Sequence, residues 1–191
     1  AGHATIAAAL DEPYAEVPTG MNFAAALLLA RARRYLLHCA AVADENGGVW
    51  LLAGDSHAGK TTTALGLARA GWTLLADDHL ILGRAGGAWV VEGWPRTPHV
   101  DAGWTAGRLT GQLVTLSPAN APALRRGAHP LCSVLLPHVA PLATRSGITR
   151  ASHADALAMV VRQTAWSLLD PVAARTALGD LAEATQVAAY A

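Results

Sequence analysis

The chain has 191 residues, of which 52% are hydrophobic and 15% are charged, and its 14 Lys and Arg residues are balanced by 14 Asp and Glu. This length and composition predict one globular domain with its own core and argue against extensive disorder. Because the formal net charge is zero, no overall basic field favours nucleic acid or an anionic membrane surface as a partner.

The cysteine residues, the longest apolar runs and the first residues of the sequence bear on the cellular compartment. Cys39 and Cys132 lie far apart inside apolar runs, which favours buried, reduced thiols over a metal-binding pair. No stretch approaches the roughly 20 consecutive apolar residues that a membrane span needs. The first residues lack the layout of a signal peptide, so we expect a cytoplasmic protein.

The first quarter of the chain predicts a helix followed by a hairpin. Residues 1–20 indicate only a short strand or a loose segment. Alanine and leucine fill residues 22–34, which predicts a helix. Residues 36–43 and 49–53 read as strands, and the sequence Asp-Glu-Asn-Gly-Gly between them is a strong turn signal. We expect these two strands to pair.

The remaining residues predict one helix, a series of strands and then a mostly helical C-terminal part. The expected elements are a helix at 61–70, strands at 72–76, 79–82, 88–92, 113–116 and 131–136, and helices at 153–166 and 171–184. The segment 93–111 is rich in Gly, Pro, Trp and Thr and predicts a long functional loop. We interpret residues 1–191 as a single α/β domain, with an N-terminal segment and helix (1–35), a nucleotide-binding core (36–136) and a helical tail (137–191).

A phosphate-binding loop is the strongest motif. Residues 54–61 read G-D-S-H-A-G-K-T, which matches G-x-x-x-x-G-K-T between a predicted strand and a predicted helix. Gly54 and Gly59 allow the backbone to curl, so that N–H groups and the positive end of the helix dipole face the phosphates. Lys60 would approach the β- and γ-phosphates and Thr61 would ligate Mg²⁺. A glycine-rich turn could match by accident, but the flanking elements favour a nucleoside triphosphate site for ATP and Mg²⁺.

Two consecutive acids, Asp77 and Asp78, follow the next predicted strand. If that strand runs parallel to the strand before the loop, both carboxylates emerge beside the phosphates, because ligands bind beyond the carboxyl ends of such strands. One carboxylate could hold Mg²⁺ and the other could accept a proton from an attacking hydroxyl. The alternative is that the pair only caps a turn.

Histidine and tryptophan residues give weaker signals. His38 in its apolar strand is either a core residue or a member of the site, and His57 occupies a free position of the loop motif, where it faces solvent or touches a phosphate. The remaining histidines show no metal-ligand spacing, so no zinc site is predicted; they are His79, His99, His129, His138 and His153. Trp89, Trp94 and Trp104 could form a stacking surface, although packing is the more ordinary role.

Several subclasses of phosphate-loop protein are disfavoured by missing motifs. The sequence has no N-K-x-D string of guanine-specific GTPases and no L-S-G-G-Q-like string of transporter ATPases. It also lacks the H-R-D and D-F-G elements of eukaryotic-type kinases. Among the remaining subclasses of phosphate-loop protein, the sequence fits a small kinase-like domain whose two acids lie immediately downstream of the loop helix.

Residues 36–82, LLHCAAVADENGGVWLLAGDSHAGKTTTALGLARAGWTLLADDHLIL, resemble the catalytic core of the HPr kinase/phosphorylase family. The shared pattern is a strand with Leu-His, a hairpin, the phosphate loop, its helix, and a strand ending in Asp-Asp. The resemblance implies a mixed sheet flanked by helices, as in phosphoenolpyruvate carboxykinases. It also implies transfer of the ATP γ-phosphoryl group to a serine of a protein or peptide.

The resemblance implies a role for each matching residue. The triphosphate would be bound by Gly54, Asp55, Ser56, His57, Ala58, Gly59, Lys60, Thr61 and Thr62. Asp77 would be the acid/base that takes the acceptor proton, with His38 close to it. Asp78 would hold metal or water beside Thr61, and Lys60 would complete the catalytic group.

The segment after the acids departs from the family pattern. In place of a Glu-x-Arg-Gly signature the chain has Glu92-Gly93-Trp94-Pro95-Arg96. Glu92 is therefore considered as a further metal-side acid and Arg96 as a contact to a phosphate or the acceptor. The chain looks more like short, stand-alone relatives that phosphorylate precursor peptides, and family members often form homo-oligomers.

These observations give a main hypothesis and two alternatives. The main hypothesis is a serine kinase that uses ATP and Mg²⁺ and acts on a peptide or small protein. A small-molecule kinase could use the same loop, with residues 93–104 closing over a metabolite. A nucleotide-binding regulatory module would bind ATP without transferring its phosphoryl group to an acceptor.

Overall fold

The computed structural model describes residues 19–94, 99–101, 112–115, 126–139 and 146–191. The predicted N-terminal segment before Thr19 lies outside the described residues. So does most of the predicted 93–111 loop, including Arg96 and Trp104. Within the described ranges no helix is long and apolar enough to cross a membrane.

The described residues form four α-helices and ten strands, with three strands between α1 and α2 and six between α2 and α3. The helices are α1 Thr19–Arg31, α2 Lys60–Arg69, α3 His153–Arg162 and α4 Pro171–Ala184, with a 3₁₀ turn at Ala165–Leu168. The strands are β1 Tyr35–Leu37, β2 Ala40–Ala43, β3 Val49–Leu52, β4 Thr73–Ala76, β5 Leu80–Ala85, β6 Ala88–Gly93, β7 His99–Asp101, β8 Leu113–Thr115, β9 Ala128–Leu135 and β10 Ala188–Tyr190. The expected α/β architecture, a mixed sheet flanked by helices, is confirmed.

One eight-stranded sheet has the order β1-β5-β6-β9-β3-β2-β4, with β10 paired to β9. The predicted hairpin is present, since β2 pairs antiparallel with β3. Because β4 also pairs antiparallel with β2, β3 and β4 run in the same direction on either side of it. The end of β3, the end of β4 and the start of β2 therefore meet at one edge of the sheet.

The predicted strand over residues 36–43 is two strands, separated by His38 and Cys39. β1 pairs with β5, whereas β2 pairs with β3 and β4. Four strands, β5, β6, β9 and β3, lie between β1 and β2 in the sheet, so the sheet curls to bring them together. The break leaves the His38 N–H free to donate to the carbonyl of Gln163, at 2.9 Å.

Helices cover both faces of the sheet. Side chains of β2 alternate between the two faces, as the pleat requires: Ala41 and Ala43 join one buried cluster, while Ala40 and Val42 join another. The first cluster packs against α3 and α4, and the second packs against α2. Burial on both faces explains why the strands read as continuous apolar runs.

The C-terminal part differs in detail from the prediction. Ser152 caps α3 and Asp170 caps α4, with Pro171 in its first turn, as expected. α3 ends at Arg162 rather than at residue 166, and the 3₁₀ turn follows it. β10 was not predicted, because three residues are too few to show a period.

A buried acid ties α4 to the beginning of the sheet. Asp180 is 4% exposed and accepts hydrogen bonds from Arg33, at 2.9 and 2.5 Å, and from the Tyr35 hydroxyl at 2.5 Å. Burial alone would raise the pKa of this carboxyl, but the hydrogen bonds from Arg33 and Tyr35 outweigh it, and the pKa is lowered.

We predict that Asp180→Asn lowers the free energy of unfolding by about 1–3 kcal/mol, because the Arg33 and Tyr35 donors lose a charged acceptor. Urea denaturation at pH 7 measures the change, and Glu45→Gln in the exposed β2–β3 turn is the matched control. Because the folded pKa of Asp180 is lowered, its contribution is present above the unfolded pKa of about 4 and is lost as the pH falls through the folded value. A difference between variant and wild type that stays constant down to pH 2 would contradict this account.

Candidate functional site

The phosphate-binding loop has the curled backbone that the motif predicts. It joins the end of β3 to the start of α2, and Gly59 has a φ of 97°, a conformation that L side chains rarely adopt. His57 also has a positive φ, of 64°. A Cβ atom on Gly54 would lie 3.0 Å from the Cβ of Ala58, so this glycine allows a close approach within the loop.

The Lys60 side chain hydrogen-bonds to the backbone of the loop that precedes it. Its Nζ donates hydrogen bonds to the carbonyls of Gly54, at 2.8 Å, and of Asp55, at 3.0 Å. The residue is only 8% exposed. Lys60 therefore stabilises the loop conformation in addition to any contact with a ligand.

Asp77 follows β4 and is a buried carboxylate with an unsatisfied oxygen. Oδ2 accepts a hydrogen bond from the backbone N–H of His99 at 3.2 Å, while Oδ1 is buried with no hydrogen-bond partner among the described residues. Burial raises the pKa of Asp77, although hydrogen bonds from the Thr61 side chain and the His99 N–H act in the opposite direction. The Asp77 carboxylate has a buried oxygen without a partner among the described residues and takes a hydrogen bond from the Thr61 hydroxyl, and these oxygens are of the type that suits a hard cation such as Mg²⁺.

Asp78 lies between two histidines. Its Oδ1 is 2.7 Å from His38 Nε2, and its Oδ2 is 2.8 Å from His79 Nδ1. Partial burial would raise the pKa of Asp78, but the hydrogen bonds from His38 and His79 outweigh it and hold the pKa well below its usual range. Asp78 is therefore an oriented, ionised carboxylate at neutral pH.

His38 was expected beside Asp77, but the structure places its hydrogen bond on Asp78. Consecutive residues after β4 direct their side chains differently, and Asp78 is the one that turns toward the start of β2. His79 was set aside in the sequence analysis, because the histidines other than His38 and His57 were considered only as metal ligands. Its position directly after the acid pair was the signal that could have identified it.

The other candidate residues occupy varied positions. Asp55 forms an ion pair with Arg162 of α3, whose Nη2 is 2.6 Å from both carboxylate oxygens. Ser56, His57 and Thr62 are exposed, and Ala58 is half-buried. The Glu92 carboxylate forms an ion pair with Arg34 at the start of β1.

No group of three or more His, Cys, Asp or Glu side chains is placed to hold a metal within the described ranges. This does not disfavour Mg²⁺, which is commonly bound by one or two protein ligands together with water and substrate phosphates. The Thr61 hydroxyl and Asp77 match that requirement.

Comparisons with known proteins find similarity among solved structures but not among family models or curated sequences. No family model and no curated protein sequence matches the chain. Among solved structures, the chain is similar to the HPr(Ser) kinase/phosphatase from Coxiella burnetii, with 14% identity, a TM-score of 0.42, and coverage of 61% of this chain and 69% of that one. At this level of identity and structural overlap, the similarity assigns the chain to no family.

The two carboxylates predict opposite effects on stability. Because the folded pKa of Asp77 is raised and that of Asp78 is lowered, the charged form of Asp77 opposes folding above about pH 4 and that of Asp78 favours it. We expect Asp77→Asn to stabilise the ligand-free protein at pH 7 by about 1 kcal/mol and Asp78→Asn to destabilise it by about 1–3 kcal/mol. Thermal unfolding without nucleotide measures both, and a shift of the same sign in the two variants would contradict the assignment.

Proposed function

We propose that this chain is an ATP- and Mg²⁺-dependent kinase that transfers the γ-phosphoryl group to a serine hydroxyl of a peptide or small protein. The observation that carries the proposal is the ionised Asp78 carboxylate, held by two histidines at the same sheet edge as a phosphate-binding loop. Such a carboxylate is suited to orient a hydroxyl group beside a triphosphate.

The loop and α2 would hold the nucleotide phosphates. The backbone from Gly54 to Gly59 would present N–H groups to them, and Lys60 would leave its two carbonyl partners to reach them. Thr61 and Asp77 would hold Mg²⁺, because they combine a hydroxyl with a buried, unsatisfied carboxylate oxygen. When bound, the metal would neutralise charge that develops on the transferring group.

Asp78 would act on the acceptor. Phosphoryl transfer passes through a loose transition state, so the hydroxyl needs orientation more than a strong base. Asp78 would accept the hydrogen bond of the serine hydroxyl and take its proton late, as the serine oxygen bonds to the γ-phosphorus and the bond from that phosphorus to the leaving nucleoside diphosphate breaks, while His38 and His79 hold the carboxylate in place. This reverses the roles that the family resemblance implies for Asp77 and Asp78, because the Thr61 contact lies on Asp77 and the histidine contacts lie on Asp78.

The acceptor is proposed from the family resemblance of residues 36–82, and it needs a direct test. Purified protein, radiolabelled ATP and Mg²⁺ are incubated with serine-containing peptides and, separately, with a pool of small hydroxyl-bearing metabolites. We expect label on a peptide, with mass spectrometry assigning one added phosphoryl group to a serine. Label on a metabolite would replace the peptide acceptor, and nucleotide binding without any transfer would support the regulatory alternative.

Single substitutions separate the proposed roles. We expect Asp78→Asn to lower kcat by about 10²–10⁴-fold while the affinity for the Mg²⁺–nucleotide complex is kept. We expect Asp77→Asn to weaken that affinity and to make it insensitive to Mg²⁺, since Asp77 would hold the metal. Isothermal titration with and without Mg²⁺, together with steady-state kinetics, gives both quantities, and wild-type transfer by Asp78→Asn would remove Asp78 from the mechanism.

Lys60→Ala tests the loop itself. We expect a loss of about 10²–10³-fold in kcat, typical of one lost electrostatic contact to a developing charge. A small loss of stability should accompany it, because Lys60 also donates to the carbonyls of Gly54 and Asp55. Lys60→Arg, which keeps the charge, is the matched control, and full activity of Lys60→Ala would contradict the site assignment.

A further inference from the structure

A short segment at the end of α3 touches the phosphate-binding loop and both histidines that hold Asp78. Residues 162–166, called here the α3-end segment, comprise the last residue of α3, its C-cap Gln163, Thr164 and the first half of the 3₁₀ turn. They are about 100 residues away in the sequence from the phosphate-binding loop. The side chain of Arg162, the carbonyl of Gln163 and the ring of Trp166 each contact a different element of the site.

Arg162 contacts the phosphate-binding loop through Asp55. A carboxylate in a loop that cradles phosphates repels the ligand, and Arg162 offsets this charge from 2.6 Å. The side chains of Arg162 and Asp55 are 59% and 53% exposed. An ion pair as exposed as this contributes little to folding, so its main effect is on the charge and position of the loop.

Gln163 and Trp166 contact the residues that hold Asp78. The Gln163 carbonyl accepts the His38 N–H at 2.9 Å, at the break between β1 and β2. The Trp166 ring stacks on His79, with centroids 5.8 Å apart and planes 23° apart. Each histidine that hydrogen-bonds Asp78 is therefore positioned by one contact from the α3-end segment.

The segment itself is firmly anchored. Thr164 is fully buried, and its hydroxyl donates to the carbonyl of Val160 at 2.5 Å. Trp166 packs against a buried cluster made by Ala26, Leu36 and Ile81, which belong to α1, β1 and β5. A residue held this way can transmit a fixed position to its neighbours.

We propose that the α3-end segment positions the site, with Arg162 acting on the phosphate-binding loop through Asp55 and Trp166 acting on Asp78 through His79. Neither residue reaches the reacting atoms, so both are positioning residues. The part of the proposal that concerns Arg162 and Asp55, called here the loop arm, rests on the proposed use of the loop for a triphosphate. The part that concerns Trp166 and His79, called here the carboxylate arm, rests only on the contacts described above.

The loop arm is tested by the affinity for a non-hydrolysable ATP analogue with Mg²⁺, measured by isothermal titration. We expect Arg162→Gln to raise Kd about tenfold, as loss of one charge-assisted contact would. The double variant Asp55→Asn, Arg162→Gln should return to within about threefold of wild type, because no loop charge is then left to offset. Arg175→Gln, at an exposed position of α4, is the control and should leave Kd unchanged.

A double variant as weak as Arg162→Gln would overturn the loop arm, because Arg162 would then act on the ligand or the fold and not through Asp55. A wild-type Kd for Arg162→Gln would overturn it as well. If the wild-type protein does not bind the analogue at all, the proposed function fails, and the carboxylate arm is still measured separately.

The carboxylate arm is tested by NMR of histidine-labelled protein without nucleotide. A carboxylate can only accept here, so His79 Nδ1 carries a proton whose signal reports its hydrogen bond to Asp78. We expect this signal in the wild type and in Trp166→Phe, which keeps a stacking ring, and its loss in Trp166→Leu with the fold retained by circular dichroism. An unchanged signal in a folded Trp166→Leu variant would overturn the arm. If Trp166→Leu does not fold, Trp166→Met, a larger side chain that also lacks a ring, takes its place: loss of the signal in a folded Trp166→Met variant supports the arm, and an unchanged signal there overturns it.

Discussion

The antiparallel strand β2, lying between β3 and β4, determines the arrangement of the site. Because β3 and β4 run in the same direction, the loop after β3 and the acids after β4 reach the same edge, and the start of β2 is there too. His38 stands just before β2 and is therefore brought to Asp78. With β2 elsewhere in the order, the loop and the acids could still share an edge, but the histidine contact would be lost.

Local chemistry made the loop and many elements predictable from the sequence. Gly59 has to adopt a positive φ, and Ser152 and Asp170 are good helix caps, so residue type alone identifies these positions. The break at His38 and Cys39 was not predictable, because an apolar run looks the same whether it forms one strand or two. The short strand β10 also has no local sequence signal, because its extended conformation depends on parallel pairing with the distant strand β9.

Pairings between distant residues were the part of the site that the sequence could not supply. Arg162 and Asp55 are separated by 107 positions, and the stack of Trp166 on His79 joins a 3₁₀ turn to the segment after β4. The position of His38 could be read as a candidate, yet which acid it contacts depends on the direction of side chains after β4. Motifs in the sequence therefore indicated the loop and both acids as candidates, while the residues that contact them could be identified only from the three-dimensional arrangement.

The two hydrogen bonds from Lys60 to the loop carbonyls have a consequence for which anions the loop admits. The ammonium group already has protein acceptors, so an incoming anion competes with an internal ligand before it gains the same cation. Each displaced hydrogen bond has a net value of about 0.5–1.5 kcal/mol. A single phosphate, with few contacts of its own, recovers little of that cost, whereas a polyphosphate chain engages the backbone amides and the cation together. In the proposed function, the closed loop would therefore favour polyphosphate ligands over a single phosphate.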